Sequence, residues 1–174
     1  PPQMNSNRTY YINQIQDLST NFDDETKSKI LDELDKVRYF DFKGLKKLYD
    51  KNYEIFIVTN QAGIAKGKYK ISDFIYLQKF IKYKLAEKRI FISDVKYCPY
   101  PPLAKIKKFR KRSNFRKPGN LMIKSILKDR LINIKNSFMI GDKTSDFKCA
   151  SKSGNKFYYT QKNFKQLVLS RVKK

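Results

Sequence analysis

The sequence predicts an α/β fold with a mostly parallel central sheet, and three observations carry that expectation. Short β-branched and aromatic runs alternate with amphipathic stretches along the chain. The run Tyr53–Val58 (YEIFIV) is nearly continuous in apolar residues, as a strand covered on both faces requires. Two polar turns, Thr59-Asn60-Gln61 and Gly141-Asp142, each follow a strand candidate. In open parallel sheets, ligands sit just outside such carboxyl ends.

Taken in order, Arg8–Ile12 (RTYYI) reads as a short strand. Thr26–Val37 reads as a helix with Ile30, Leu31, Leu34 and Val37 on one side, and Gly44–Lys51 as a second helical stretch. Tyr53–Val58 is the buried strand. Ser72 is placed as the cap of a long helix to Arg89, because Phe74, Leu77, Ile81 and Leu85 recur at helical spacing. Ile92–Tyr97 is a third strand. Pro99, Pro101 and Pro102 make Cys98–Pro118 a loop. Asn120–Asp129 is helical and Ser137–Ile140 a strand. Ser145 caps the next helix and Gly154 ends it. Asn155–Tyr159 is a strand and Asn163–Val172 a last helix. No repeat or Gly/Ser linker divides the 174 residues, so one domain spanning 1–174 is expected.

Composition excludes several chemistries. With no histidine, neither a Ser-His-Asp triad nor a His-ligated metal is available. Two cysteines make no disulfide framework. No apolar run reaches membrane-spanning length. Pro1-Pro2-Gln3 precede Met4, which reads either as an initiator behind added residues or as part of a processed chain. The net charge is +23, and its distribution is uneven. Residues 1–94 hold 17 basic and 13 acidic side chains, whereas residues 95–174 hold 22 basic and 3 acidic ones. A half this basic attracts polyanions.

Four ordered motifs carry the chemistry: VTNQAGIAKG from Val58, YCPYPP from Tyr97, FRKPGNLMI from Phe115, and FMIGDKTSDFKCASKSG from Phe138. A strand running into a Gly-containing polar turn can offer a hydroxyl and backbone N–H groups to an anion. Carboxylates at a strand end suit Mg²⁺. Together the motifs resemble the haloacid dehalogenase (HAD) superfamily of phosphatases, nearest its heptose-bisphosphate and histidinol-phosphate phosphatase branch. The polynucleotide 3′-phosphatase branch shares the TNQ-G-I pattern as a second match.

The resemblance covers Asp41 to Tyr159. It implies a HAD-like, Rossmann-like three-layer fold and Mg²⁺-dependent phosphoryl transfer. It implies that Thr59, Asn60 and Gln61 bind phosphate, that Lys117 orients nucleophile and phosphate, and that Arg116 contacts substrate. Asp142 and Asp146 would form the Mg²⁺ site. Thr59, Lys117 and Asp142 are thus the implied catalytic set.

The pattern departs from the family in two places. Where the family has Asp-x-Asp-Gly, this chain has Tyr10-Tyr11-Ile12-Asn13-Gln14-Ile15, with Ile12 at the nucleophile position and Gln14 at the acid/base position. Neither can do that chemistry. Asp41, Asp17, Asp23 and Asp24 are the other acidic candidates, and Asp41 stands 18 residues before Thr59. The family's zinc loop keeps only Cys98, with Ser113 and Phe115 where a second Cys pair would be, so no zinc is expected. In its place (98–118) runs a segment, Lys105–Lys117, with eight cations in thirteen residues, interleaved with Phe109 and Phe115, which can stack on exposed bases.

These departures favour a catalytically inactive HAD-like module. It would serve as a basic RNA-binding subunit of a large assembly such as an organellar ribosome, with Lys105, Lys107, Lys108, Arg110, Lys111 and Arg112 on the polyanion and any Mg²⁺ held weakly. The alternative is an active Mg²⁺-dependent phosphatase acting on a sugar phosphate or histidinol phosphate. Either way an intracellular setting is expected, organellar or bacterial.

Overall fold

The computed structural model describes residues 9–12, 42–160, 168 and 170. Five strands form one parallel sheet: β1 (Thr9–Ile12), β2 (Glu54–Asn60), β3 (Ile92–Cys98), β4 (Phe138–Gly141) and β5 (Lys156–Tyr159), in the order β3-β2-β1-β4-β5. The helices are α1 (Phe42–Asp50), α2 (Ala62–Ala65), α3 (Ile71–Glu87), α4 (Leu121–Asp129) and α5 (Thr144–Lys152). Short 3₁₀ turns lie at Lys107–Phe109 and Ile134–Asn136. The predicted helices at 26–37 and 163–172 fall outside the described residues, apart from Val168 and Ser170. Among the described residues no helix is long and apolar enough to cross a membrane.

Alternation along the strands builds the layers. In β2, Ile55 and Ile57 face one side, packing with Leu45 and Leu48 of α1 and Leu77, Ile81 and Leu85 of α3. Phe56 and Val58 face the other side, packing with Met122, Ile123 and Ile126 of α4 and Cys149 and Ala150 of α5. In β4, Phe138 and Ile140 join the first cluster and Met139 the second. A period of two on a sheet buried on both faces gives three layers. The predicted fold class is the observed one.

Element ends moved for reasons of capping. The long helix starts at Ile71, not behind a Ser72 cap, and the Asp73 carboxylate accepts the Lys70 backbone N–H at 2.8 Å. Ser145 likewise lies inside α5, whose first turn is closed by Asp146 accepting the Lys143 N–H at 3.0 Å. Helix α1 begins at Phe42, two residues before the predicted start.

The strand order places the site. From β1 the chain runs outward through β2 and β3, then crosses back to β4 on the other side of β1. The order reverses between β1 and β4, which opens a crevice at their carboxyl ends. The register Ile12↔Ile57 and Ile12↔Ile140 aligns the end of β1 with the strand ends that lead into Thr59 and Asp142.

Candidate active site

The turn after β2 is held from three sides. Its backbone is tied to β3 by the Gln61 N–H donating to the Cys98 carbonyl at 2.8 Å. Gln61 Nε2 donates to Thr59 Oγ1 at 3.0 Å, and the Tyr69 hydroxyl donates to Gln61 Oε1 at 2.5 Å. Thr59 and Gln61 are both 2% exposed. Asn60 makes a two-way clasp with the backbone of Lys117. It accepts from the Lys117 N–H at 3.0 Å and donates to the Lys117 carbonyl at 3.1 Å.

That clasp swings the Lys117 side chain inward. Lys117 Nζ donates to the Val58 carbonyl at 2.8 Å and lies 3.1 Å from Asp146 Oδ1, with both side chains essentially inaccessible. Burial holds this ammonium below the ordinary lysine range, opposed by the carboxylates of Asp146 and Asp142. Asp146 is thus engaged at both oxygens, one toward Lys117 and one on the Lys143 N–H. Gly141 permits this, since a Cβ there would lie 2.6 Å from the Asp146 side chain. Asp142, half-buried beyond β4, is close enough to act on Lys117 electrostatically.

These groups open on a cavity of about 310 Å³ lined by Thr59, Asn60, Gln61, Ala62, Gly63, Lys66, Tyr69, Arg116, Lys117, Lys143, Ser145 and Asp146. Among the described residues four cations line it against one carboxylate already paired, a balance that suits an anion. Arg116 Nη1 is buried there with no hydrogen-bond partner among the described residues. The structure therefore gathers Thr59, Asn60, Gln61, Arg116, Lys117 and Asp146 around one space, with Asp142 at its edge. Lys66, Tyr69 and Lys143 complete the lining and were not singled out from the sequence as site residues. Lys66 and Lys143 stood in the quoted motifs; Tyr69 gave no local signal. Ile12 reaches the same edge by register, while Gln14, Asp17, Asp23, Asp24 and Asp41 lie outside the described residues.

The basic segment behaves differently from the expected polyanion arm. Phe109, expected to stack on bases, is 8% exposed and packs with Ile64, Ala65, Phe74 and Ala104. The Ile106 N–H donates to the Ala65 carbonyl at 3.0 Å, and Arg110 Nε donates to the Ala104 carbonyl at 2.9 Å. Lys111 Nζ sits 3.9 Å from the centroid of the Tyr100 ring and Lys108 Nζ 5.1 Å from that of Phe109. Lys105, Lys107, Lys108, Arg110, Lys111 and Arg112 are all exposed, and Lys117 points into the site. Cys98 and Cys149 are buried free thiols, with burial pushing the Cys149 thiol up to about 11. Among the described residues no group of three His, Cys, Asp or Glu side chains is placed to hold a metal.

Known proteins resemble the chain over most of its length. The profile of the polynucleotide kinase 3 phosphatase family matches residues 19–169. A D-glycero-alpha-D-manno-heptose-1,7-bisphosphate 7-phosphatase of Photorhabdus laumondii is 40% identical over 64% of this chain and 61% of its own. A D-glycero-beta-D-manno-heptose-1,7-bisphosphate 7-phosphatase of Escherichia coli K12 is 30% identical over 68% of this chain and 63% of its own. The matched region thus spans less than two thirds of either relative.

Among solved structures, a candidate HAD-like phosphatase of Mesorhizobium loti superposes with a TM-score of 0.72 at 17% identity, covering 95% of this chain and 85% of that one. The D,D-heptose 1,7-bisphosphate phosphatase of B. bronchiseptica, complexed with magnesium and phosphate, gives 0.67 at 17% identity, covering 94% and 86%. The expectation of an inactive, RNA-binding ribosomal subunit is overturned by these relatives, which are phosphatases of small phosphorylated sugars. Physically, the segment is anchored to its own fold through Ile106, Phe109 and Arg110, and its innermost cation, Lys117, lines the cavity. The motifs, the parallel sheet with its site at the β1/β4 reversal and the family profile agree: the chain has a HAD-like fold, is similar to heptose-bisphosphate phosphatases, and belongs to the polynucleotide kinase 3 phosphatase family.

Proposed function

We propose that the chain is a Mg²⁺-dependent phosphomonoesterase acting on a phosphorylated sugar of the heptose-bisphosphate type. The observation that carries this reading is the cavity at the carboxyl edge of β2. There Thr59, Lys117 and Arg116, whose buried Nη1 has no hydrogen-bond partner among the described residues, converge on a space bordered by four described cations. The roles follow from position. Thr59 Oγ1 and the turn after it hold the phosphoryl group, and Asn60 and Gln61 fix that turn. Lys117, immobilised by the Val58 carbonyl and Asp146, places a fixed positive charge beside the transferring phosphoryl oxygens. Arg116, Lys66 and Lys143 meet the remaining negative charge of the substrate.

Asp142 is the described carboxylate suited to Mg²⁺, an ion that commonly uses one or two carboxylates, waters and substrate phosphate. Asp146, the second carboxylate of the motif from Phe138, also supports Lys117 and the first turn of α5. Bound there, the metal would neutralise phosphate charge. Ile12 and Gln14 bring no carboxylate to the positions where the resemblance implies one. The attacking group in this reading is one of Asp17, Asp23, Asp24 and Asp41.

The test is phosphate release from D-glycero-D-manno-heptose 1,7-bisphosphate and from an aryl phosphate, with and without Mg²⁺. Release that requires Mg²⁺ is expected. Asp142→Asn and one of the four Asp→Asn variants should lower it by at least about a hundredfold. No release from either substrate by wild type would overturn the reading.

A further inference from the structure

A threonine hydroxyl has one hydrogen and two acceptor lone pairs, so what it offers an anion depends on what its other partner does. Here that partner is Gln61, whose Nε2 donates to Thr59 Oγ1 at 3.0 Å. The far end of the same amide, Oε1, receives the Tyr69 hydroxyl at 2.5 Å. Gln61 is 2% exposed, so water cannot readily replace Tyr69 there. Flipping the amide would turn Oε1 toward Thr59, draw the threonine hydrogen to it, and leave only lone pairs facing an anion.

We propose that Tyr69 is a positioning residue: by fixing the Gln61 amide it makes Thr59 a hydrogen-bond donor to the phosphoryl oxygen of the substrate. The proposal rests on the phosphatase reading above. Each group then donates to the next, from phenol to amide to hydroxyl to anion, and such chains strengthen link by link. The backbone is shaped to allow it. Gly67, at φ +75°, turns the chain back after α2, which returns Tyr69 to the site. The phenol ring crosses Gly63 so closely that a Cβ there would lie 2.4 Å from it. Gly63→Ala therefore displaces Tyr69 while leaving Gln61 and Thr59 in place chemically.

The experiment compares wild type, Tyr69→Phe, Gly63→Ala, Thr59→Val and the Tyr69→Phe/Thr59→Val pair. It measures kcat, KM and the affinity for inorganic phosphate, with thermal melts to check folding. Expected are a drop of about tenfold in kcat for Tyr69→Phe, a weaker phosphate complex, and the same direction for Gly63→Ala. In the Thr59→Val background, Tyr69→Phe should change phosphate affinity no further, because its effect runs through Thr59. Wild-type kcat and phosphate affinity in Tyr69→Phe would overturn the proposal. So would an equal loss of affinity with and without Thr59. If wild type releases no phosphate, the functional reading fails, and the phosphate-affinity cycle still decides the role of Tyr69.

Discussion

Lys117 and the lysines of the 105–111 run are neighbours in sequence, and the fold treats them oppositely. Lys117 is 3% exposed, bonded to the Val58 carbonyl and ion-paired to Asp146. Lys105 and Lys107 stand in solvent, while Lys108 and Lys111 lie over the protein's own rings. A charge gains consequence when water is removed from around it. The exposed cations raise the net charge, whereas the buried one organises the edge of the cavity. Charge density along the chain pointed to the wrong end of the segment.

Removing Lys117 should have the largest effect. Lys117→Met strands a buried Asp146 and should cost about 3–5 kcal/mol, read as a shift in urea midpoint. Adding Asp146→Asn should recover most of that, because the orphaned charge is gone while the Lys143 N–H keeps an acceptor. Sites that behaved additively would sink this account. The pH dependence has a definite sign. Because burial lowers the folded-state pKa of Lys117, the unfolded chain binds more protons just below the ordinary lysine value. Stability from this group therefore rises with pH across that window, and the difference between wild type and Lys117→Met should show it.

Phe109 comes next. It anchors the basic segment through an apolar cluster, so Phe109→Ala should cost about 3 kcal/mol and expose the 105–111 backbone to amide exchange. An unchanged melting temperature would mean that the polar contacts alone hold the segment. Smallest should be the combined change of Lys105, Lys107 and Lys108 to Ala. It should move stability by less than about 0.5 kcal/mol and phosphate release by less than about twofold. A tenfold loss of turnover would show that these surface charges steer substrate.

Much of the fold could be read from the chain because its signals are local. The apolar runs of β2 and β4, the spacing of Phe74, Leu77, Ile81 and Leu85, and the Gly154 stop at φ +73° each depend on a few adjacent residues. The motif order likewise brought Thr59, Lys117 and Asp142 into one hypothesis. What could not be read depends on contacts made across the chain. Nothing near Tyr69 announces that its hydroxyl reaches Gln61, and nothing near Lys117 announces that Asn60 grips its backbone. The ion pair between Asp146 and Lys117 was equally out of sight, because a carboxylate's partner is invisible in one dimension. The same blindness made Phe109 a candidate for base stacking, when the fold had already buried it.

The clasp between Asn60 and Lys117 also bears on how this molecule can change through descent. The chain leaves β3 at Cys98, whose carbonyl is bonded to Gln61, and returns at Lys117, bonded to Asn60. Both ends of the excursion are therefore stitched to adjacent residues of one turn. Closing a longer excursion costs little extra entropy, since that cost grows only with the logarithm of length. Insertions and deletions between the two stitches can accumulate at the outer reaches, around 110–113, while the ammonium of Lys117 stays at its station beside Thr59. The outer segment is free to diversify because the inner turn fixes where it must begin and end.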